Sequence, residues 1–170
     1  MIKKIFVLLA CVLPLTVLAQ EIKVGYYNRV AIIQSMPEYA AATKKMDALS
    51  KEYEKEIASM QEEYQKKGSE YIAGRDTMPE AIRLRREAEI QDLQQRMDAF
   101  VTDSRTNVQK QQQDLLQPIT KKMDTTVQTV GKENNFLLIF DISAKDDLSY
   151  WSVDKCVDVT NMIRSKLGLK

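Results

Sequence analysis

The sequence predicts an α+β protein, predominantly α, in which a long antiparallel helical hairpin stands on a small β body. Three observations predict it. Apolar residues recur at spacings of three, four and seven through two long stretches otherwise rich in Lys, Glu, Gln and Asp. The run Gly74-Arg75-Asp76-Thr77-Met78-Pro79 separates those stretches as a turn would, and short β-patterned segments stand outside them.

The first element lies outside the fold. Met1-Ile2-Lys3-Lys4 precedes an apolar run from Ile5 to Ala19, broken only by Pro14 and Thr16, and small residues end it before Gln20. A basic start, an apolar middle too short to span a bilayer and a small-residue cleavage site read as a secretory signal peptide over residues 1–19. The alternative, lipidation at Cys11, has only Ile5 to Ala10 before it, shorter than the roughly 7 to 15 apolar residues such a signal uses.

Removing Lys3 and Lys4 takes the chain from 25 basic and 24 acidic residues to 23 and 24, a net charge of −1. Residues 20–170 suit one domain, and their balance gives no general attraction for nucleic acid. Cys156 is then left without an internal partner. It reads as a small buried apolar side chain, with an intermolecular disulfide as the alternative in an oxidising compartment.

Along the mature chain, Ile22 to Asn28 alternates as a strand, with Ile22, Val24 and Tyr26 on one face and Lys23, Gly25 and Tyr27 on the other. A short helix is expected over Val30 to Gln34. Pro37 and Glu38 suit the start of the first long helix, one for its fixed φ and the other for the helix dipole. Its stripe runs through Tyr39, Ala42, Met46, Leu49, Tyr53, Ile57, Met60, Tyr64 and Tyr71.

Gly74 ends that helix, Asp76 or Thr77 offers an N-cap and Pro79 suits the first turn of the next. The second stripe runs through Ile82, Ile90, Leu93, Met97, Val101, Ser104, Val108, Leu115, Ile119, Met123, Val127 and Val130, ending near Gly131. Pro118 predicts a kink or break inside it. Because the stretches 38–74 and 79–117 match in length, Pro37 and Pro118 should face each other as the hinge of an arm about 55 Å long, at ~1.5 Å per residue. The arm would span 38–117, its tip near 74–79, on a body of 20–37 and 118–170.

In the body, Phe136-Leu137-Leu138-Ile139-Phe140 is a continuous apolar run, expected of a strand buried on both faces. Asp141 to Asp147 connects it to Leu148–Val153, read as an antiparallel partner strand. Asp158-Val159-Thr160 opens a last helix through Val159, Ile163 and Leu167, closed by Gly168. Three strands would leave exposed edges, which strand pairing between subunits would remove.

Chemistry is scarce. The chain has no histidine, so the commonest general base and metal ligand are missing and Cys156 has no histidine to activate it. Gly131-Lys132-Glu133 lacks the rest of a phosphate loop, and the Asp141–Asp147 segment lacks the glycine and terminal Glu of a calcium loop. No enzyme and no cofactor is expected. Apolar residues on the arm exceed what a two-helix seam needs: Ile72, Leu84, Phe100 and Leu116 lie off the stripes, and Met46, Met60, Met78 and Met97 are of the adaptable kind that promiscuous surfaces use. At the tip Lys66, Lys67, Arg75, Arg83, Arg85 and Arg86 form a basic cluster.

The segment from Lys23 to Glu38, KVGYYNRVAIIQSMPE, together with Phe136-Leu137-Leu138-Ile139-Phe140-Asp141 and Asp158-Val159-Thr160 before Ile163 and Leu167, resembles the Skp/OmpH family of periplasmic chaperones. The resemblance implies a homotrimer with a shared barrel-like body and three arms around a cavity. It implies a holdase for unfolded outer-membrane β-barrel proteins, working without ATP and without nucleic acid as a partner. Some members of that family are strongly basic. The near-neutral charge here argues against lipopolysaccharide, and a peripheral membrane contact is a further expectation. The competing reading is a structural or adaptor coiled-coil protein of the envelope.

Overall fold

The computed structural model describes residues 22–144 and 149–169; the expected signal peptide, with Cys11, and Leu148 lie outside them. β1 (Lys23–Tyr27) passes through Asn28 into α1 (Arg29–Ser35). The Asn28 side chain accepts the Ala31 N–H at 2.9 Å, satisfying one of the unpaired donors of the first turn. Pro37 opens α2 (Pro37–Gly74), where its missing N–H costs nothing. The helix's 38 residues make it about 57 Å long at ~1.5 Å per residue.

A 3-10 turn, Arg75–Thr77, reverses the chain, and the Thr77 hydroxyl donates to the Gly74 carbonyl at 3.0 Å. The Met78 side chain folds back over Gly74 so closely that a Cβ there would lie 2.6 Å from the Met78 methyl. α3 (Glu80–Glu133) then runs 54 residues. Pro79 stands just before it as the cap residue, and neither Asp76 nor Thr77 caps it.

α3 is both the returning half of the arm and the spine of the body. It continues through Pro118, so the expected break does not occur. Ile119 and Met123, 5% and 0% exposed, anchor the helix just after the proline. Burying two such side chains contributes ~1.5–3 kcal/mol each, enough to offset the ~3 kcal/mol that an interior proline costs.

The sheet has the order β2-β1-β3 and is parallel throughout. β2 (Phe136–Asp141) pairs with β1 from Val24↔Leu138 to Tyr27↔Asp141, with an irregularity between Lys23 and Val24. β3 (Val157–Asp158) pairs with the other side of β1. The expected antiparallel strand at Leu148–Val153 is therefore corrected: its described residues, Ser149–Val153, are not strand, and the third strand comes later and runs parallel. Two strands both parallel to β1 require a crossover between Asp141 and Val157. Trp151 instead packs its ring against Tyr26 and Phe140, with centroids 6.4 and 6.0 Å away. β2 is also corrected, from a strand buried on both faces to an edge strand with Leu137 74% and Leu138 54% exposed.

α1, the end of α3 and α4 (Thr160–Lys166) supply the helices of the body. Their core joins Tyr27, Ile32, Met123, Val130, Val159 and Ile163, all nearly inaccessible. Gly25 permits this closeness, since a Cβ there would sit 3.0 Å from Val159 Cγ1 and 3.2 Å from Phe136 Cε1. Asp158 accepts the Thr160 N–H at 2.9 Å at the start of α4, and Gly168, at φ +74°, follows its end.

One polar node ties these parts together. Asp141 accepts from the Arg29 backbone at 3.1 Å and from the Ser143 N–H and hydroxyl at 2.9 and 2.6 Å, while the Arg29 guanidinium also pairs with Asp124 of α3. Burial works to raise the Asp141 pKa, but the hydrogen bonds from Ser143 and Arg29 and the charge of Arg29 outweigh it and hold the carboxyl below its usual range. A depressed carboxyl stabilises the fold above its unfolded value of ~3.9, and that contribution is lost as pH falls through the lower folded value. Asp141→Asn should cost about 1–3 kcal/mol at pH 7. The difference between wild type and variant, measured by urea unfolding, should narrow below about pH 4; a pH-independent difference would mean that the charge contributes nothing.

Candidate functional site

The arm is held in register at three heights. Near the tip the Tyr71 hydroxyl donates to Glu87, whose carboxylate raises the phenol's pKa. In the middle Tyr53 meets Phe100 edge-on, centroids 5.9 Å apart at 74°. At the base Lys122 donates to Glu38 across the two helices. Between these points the stripes face each other: every residue of the first is at least half-buried, and Leu93, Met97 and Ser104 of the second are buried. At the base Met36, Ala42 and Ile119 form a second apolar cluster against which Leu115 and Leu116 pack.

These contacts sort the residues singled out from the sequence. Met97 is only 9% exposed and belongs to the seam. Met46, Met60 and Met78 are half-buried along the arm, Phe100 is half-buried against Tyr53, and Leu116 leans on the base cluster. Ile72 and Leu84 are open, at 76% and 55% exposure. Ile82 was expected in the seam but is 45% exposed, because the second helix has barely begun there and the half-buried Arg83 and Glu87 face inward. The arm thus shows three open aliphatic side chains close in sequence to its tip. Periodicity alone assigns such a residue to the seam and cannot report that Arg83 and Glu87 take the inward positions there.

The basic tip cluster is largely compensated. Arg75 pairs with Asp76 at 3.3 Å, Arg85 and Arg86 both reach Glu89 at 3.0 Å, and Lys67 lies 3.8 Å from Glu63. Lys66 is exposed and Arg83 is half-buried. Such pairs leave a mixed surface with little local field.

The body offers a different surface. Leu137 and Leu138 are exposed on the β2 edge, as are Ile22, Tyr150 and Val153 elsewhere in the body and Val157 on β3 at the opposite edge of the sheet. A groove bounded by Val127, Gly131 and Phe136 runs between α3 and that edge. Cys156 is a half-buried free thiol. Among the described residues no three His, Cys, Asp or Glu side chains gather as a metal site, and no helix is long and apolar enough to cross a membrane.

A family model described as Outer membrane protein (OmpH-like) matches residues 23–167. The fold matches the crystal structure of a candidate outer membrane chaperone (OmpH-like) from Caulobacter crescentus CB15, with a TM-score of 0.71 and 12% sequence identity, over 86% of this chain and 83% of that one. Curated proteins give no match.

The burial pattern separates seam from surface energetically. Met97→Ala should destabilise the protein by about 2–5 kcal/mol, as removal of a buried side chain does, whereas Leu84→Ala should stay within about 0.5 kcal/mol. Thermal melts followed by circular dichroism measure both; equal shifts would mean that Met97 does not hold the helices together.

Proposed function

The chain belongs to the OmpH-like outer membrane protein family, and on that premise we propose that it is a periplasmic, ATP-independent holdase chaperone that binds unfolded outer-membrane β-barrel proteins and prevents their aggregation. The observation that carries this reading is the arm's surface. Its seam is filled and the charges of its tip cluster are largely paired, yet Ile72, Ile82 and Leu84 remain open toward the tip. Adaptable half-buried side chains, Met46, Met60, Met78, Phe100 and Leu116, lie along the way.

Unfolded barrel strands alternate apolar and polar residues and pair edge to edge in water. A long arm with dispersed apolar points among charges holds such a chain by many weak contacts, each easily released. Met97 serves that surface from within, by keeping the helices together. No nucleotide and no catalytic step enter this reading.

The same proposal takes the functional unit to be a homotrimer. The apolar edge of β2 supports it, since an exposed edge strand carrying two leucines would otherwise be an aggregation site. Residues 38–117 then form one of three arms and residues 20–37 and 118–170 the shared body, with Pro37 and Pro118 at the joint. Export through the signal peptide over residues 1–19 places the protein where its clients pass. The paired tip charges suit at most a peripheral membrane contact and disfavour lipopolysaccharide.

Diluting a urea-unfolded barrel protein into buffer with and without the mature chaperone tests the reading by light scattering. Aggregation should be suppressed at a molar excess of trimer. Replacing Ile72, Ile82 and Leu84 together by serine should weaken suppression several-fold with unchanged helicity, while each single replacement does little. Unaltered aggregation at that excess would refute the holdase reading, and recovery of one folded stoichiometric partner from envelope extract would favour an adaptor instead.

A further inference from the structure

A groove of about 430 Å³ lies at the base of the arm between α2 and α3, within the volume range of small-ligand sites. Its floor and walls are apolar: Ala41 and Ala42 from α2 face Leu115, Pro118 and Ile119 from α3. Ala42 and Ile119 are buried and fix the floor, whereas Ala41 is exposed on the lip. The groove exists because α2 presents alanines where bulkier side chains would close the gap.

Two polar features mark what fits. Glu38 and Lys122 pair with each other at one end. Lys45, two turns further along α2 and also on the rim, has no carboxylate partner among the described residues. An apolar slot beside an unmatched cation calls for a flat apolar group that sits next to a negative charge.

We propose that this groove is an anchoring site for an aromatic side chain flanked by carboxylates on an unfolded client chain. The ring buries its faces against Ala41, Leu115 and Pro118, a contact that aromatic side chains make with large area. The flanking carboxylate meets Lys45 on the rim. The proposal rests on the holdase reading and adds to its diffuse contacts one preferred point at the foot of the arm.

The test uses the full mature chain and blocked pentapeptides with Asp-Tyr-Asp, Asn-Tyr-Asn or Asp-Ala-Asp at their centre, followed by methyl NMR. The Asp-Tyr-Asp peptide should shift the Leu115 and Ile119 methyl signals saturably. The Asn-flanked peptide, or Lys45→Ala in the protein, should bind about two- to fivefold more weakly, the share of an exposed ion pair. The alanine peptide should not shift these signals. Ala41→Trp fills the groove from its exposed lip and should abolish the shifts; should that variant misfold, Lys45→Glu provides the second arm and should repel the acidic peptide. Shifts that map elsewhere, that are absent in wild type, or that survive Ala41→Trp with native circular dichroism would overturn the assignment. Aggregation suppression by the same wild-type preparation reports separately on the holdase reading, so failure of one is not mistaken for failure of the other.

Discussion

The parallel pairing of β1 with β2 constrains everything between them. The chain leaves β1 at Tyr27 and must return to begin β2 beside Lys23, so the intervening residues form one crossover whose two ends are pinned while its far end is free. Loop closure grows costlier only slowly with length, so lengthening such a crossover adds little penalty if the added residues pack on themselves. Here they do, as α2 and α3. α3 exceeds α2 by the stretch that lies on the body, and one unbroken helix therefore couples the arm to the core around Met123 and Val130.

That arrangement was readable in the sequence wherever the signal is local and repeated. The stripes from Tyr39 to Tyr71 and from Leu93 to Val130 predicted a long hairpin and most of its seam, including the buried Ser104, and Gly74 to Pro79 marked its turn. Met97 shows the limit: its flexibility suggested a surface role, but position in the stripe decided its burial. Strand direction was not readable, because it depends on where the crossover returns and not on any residue in the strand. β3 has two residues and no periodicity, while Leu148–Val153 has an alternation that tertiary packing spends on seating Trp151 beside Tyr26 and Phe140. On propensity Pro118 predicts a kink or break, and the break is absent because the burial of Ile119 and Met123 outweighs its cost.

A single chain is incomplete in one respect that bears on function. Helices cover one side of its sheet, yet Leu137 and Leu138 leave the β2 edge apolar and open. The arm has the opposite character, with open aliphatic residues few and spaced among charged ones. An unpaired apolar strand edge suits permanent association, and dispersed apolar residues suit weak, reversible contact. On this account the body assembles and the arms hold, and one arm alone offers too few contacts to retain an unfolded chain.

The mass of the particle in solution tests that division of labour most directly. Light scattering on the mature protein, with Leu137→Asp and Leu138→Asp introduced together as the comparison, should give three chains per particle for the wild type. The doubly substituted protein should give a smaller particle that no longer suppresses client aggregation. A wild type that remains a monodisperse single chain while still suppressing aggregation would contradict the account.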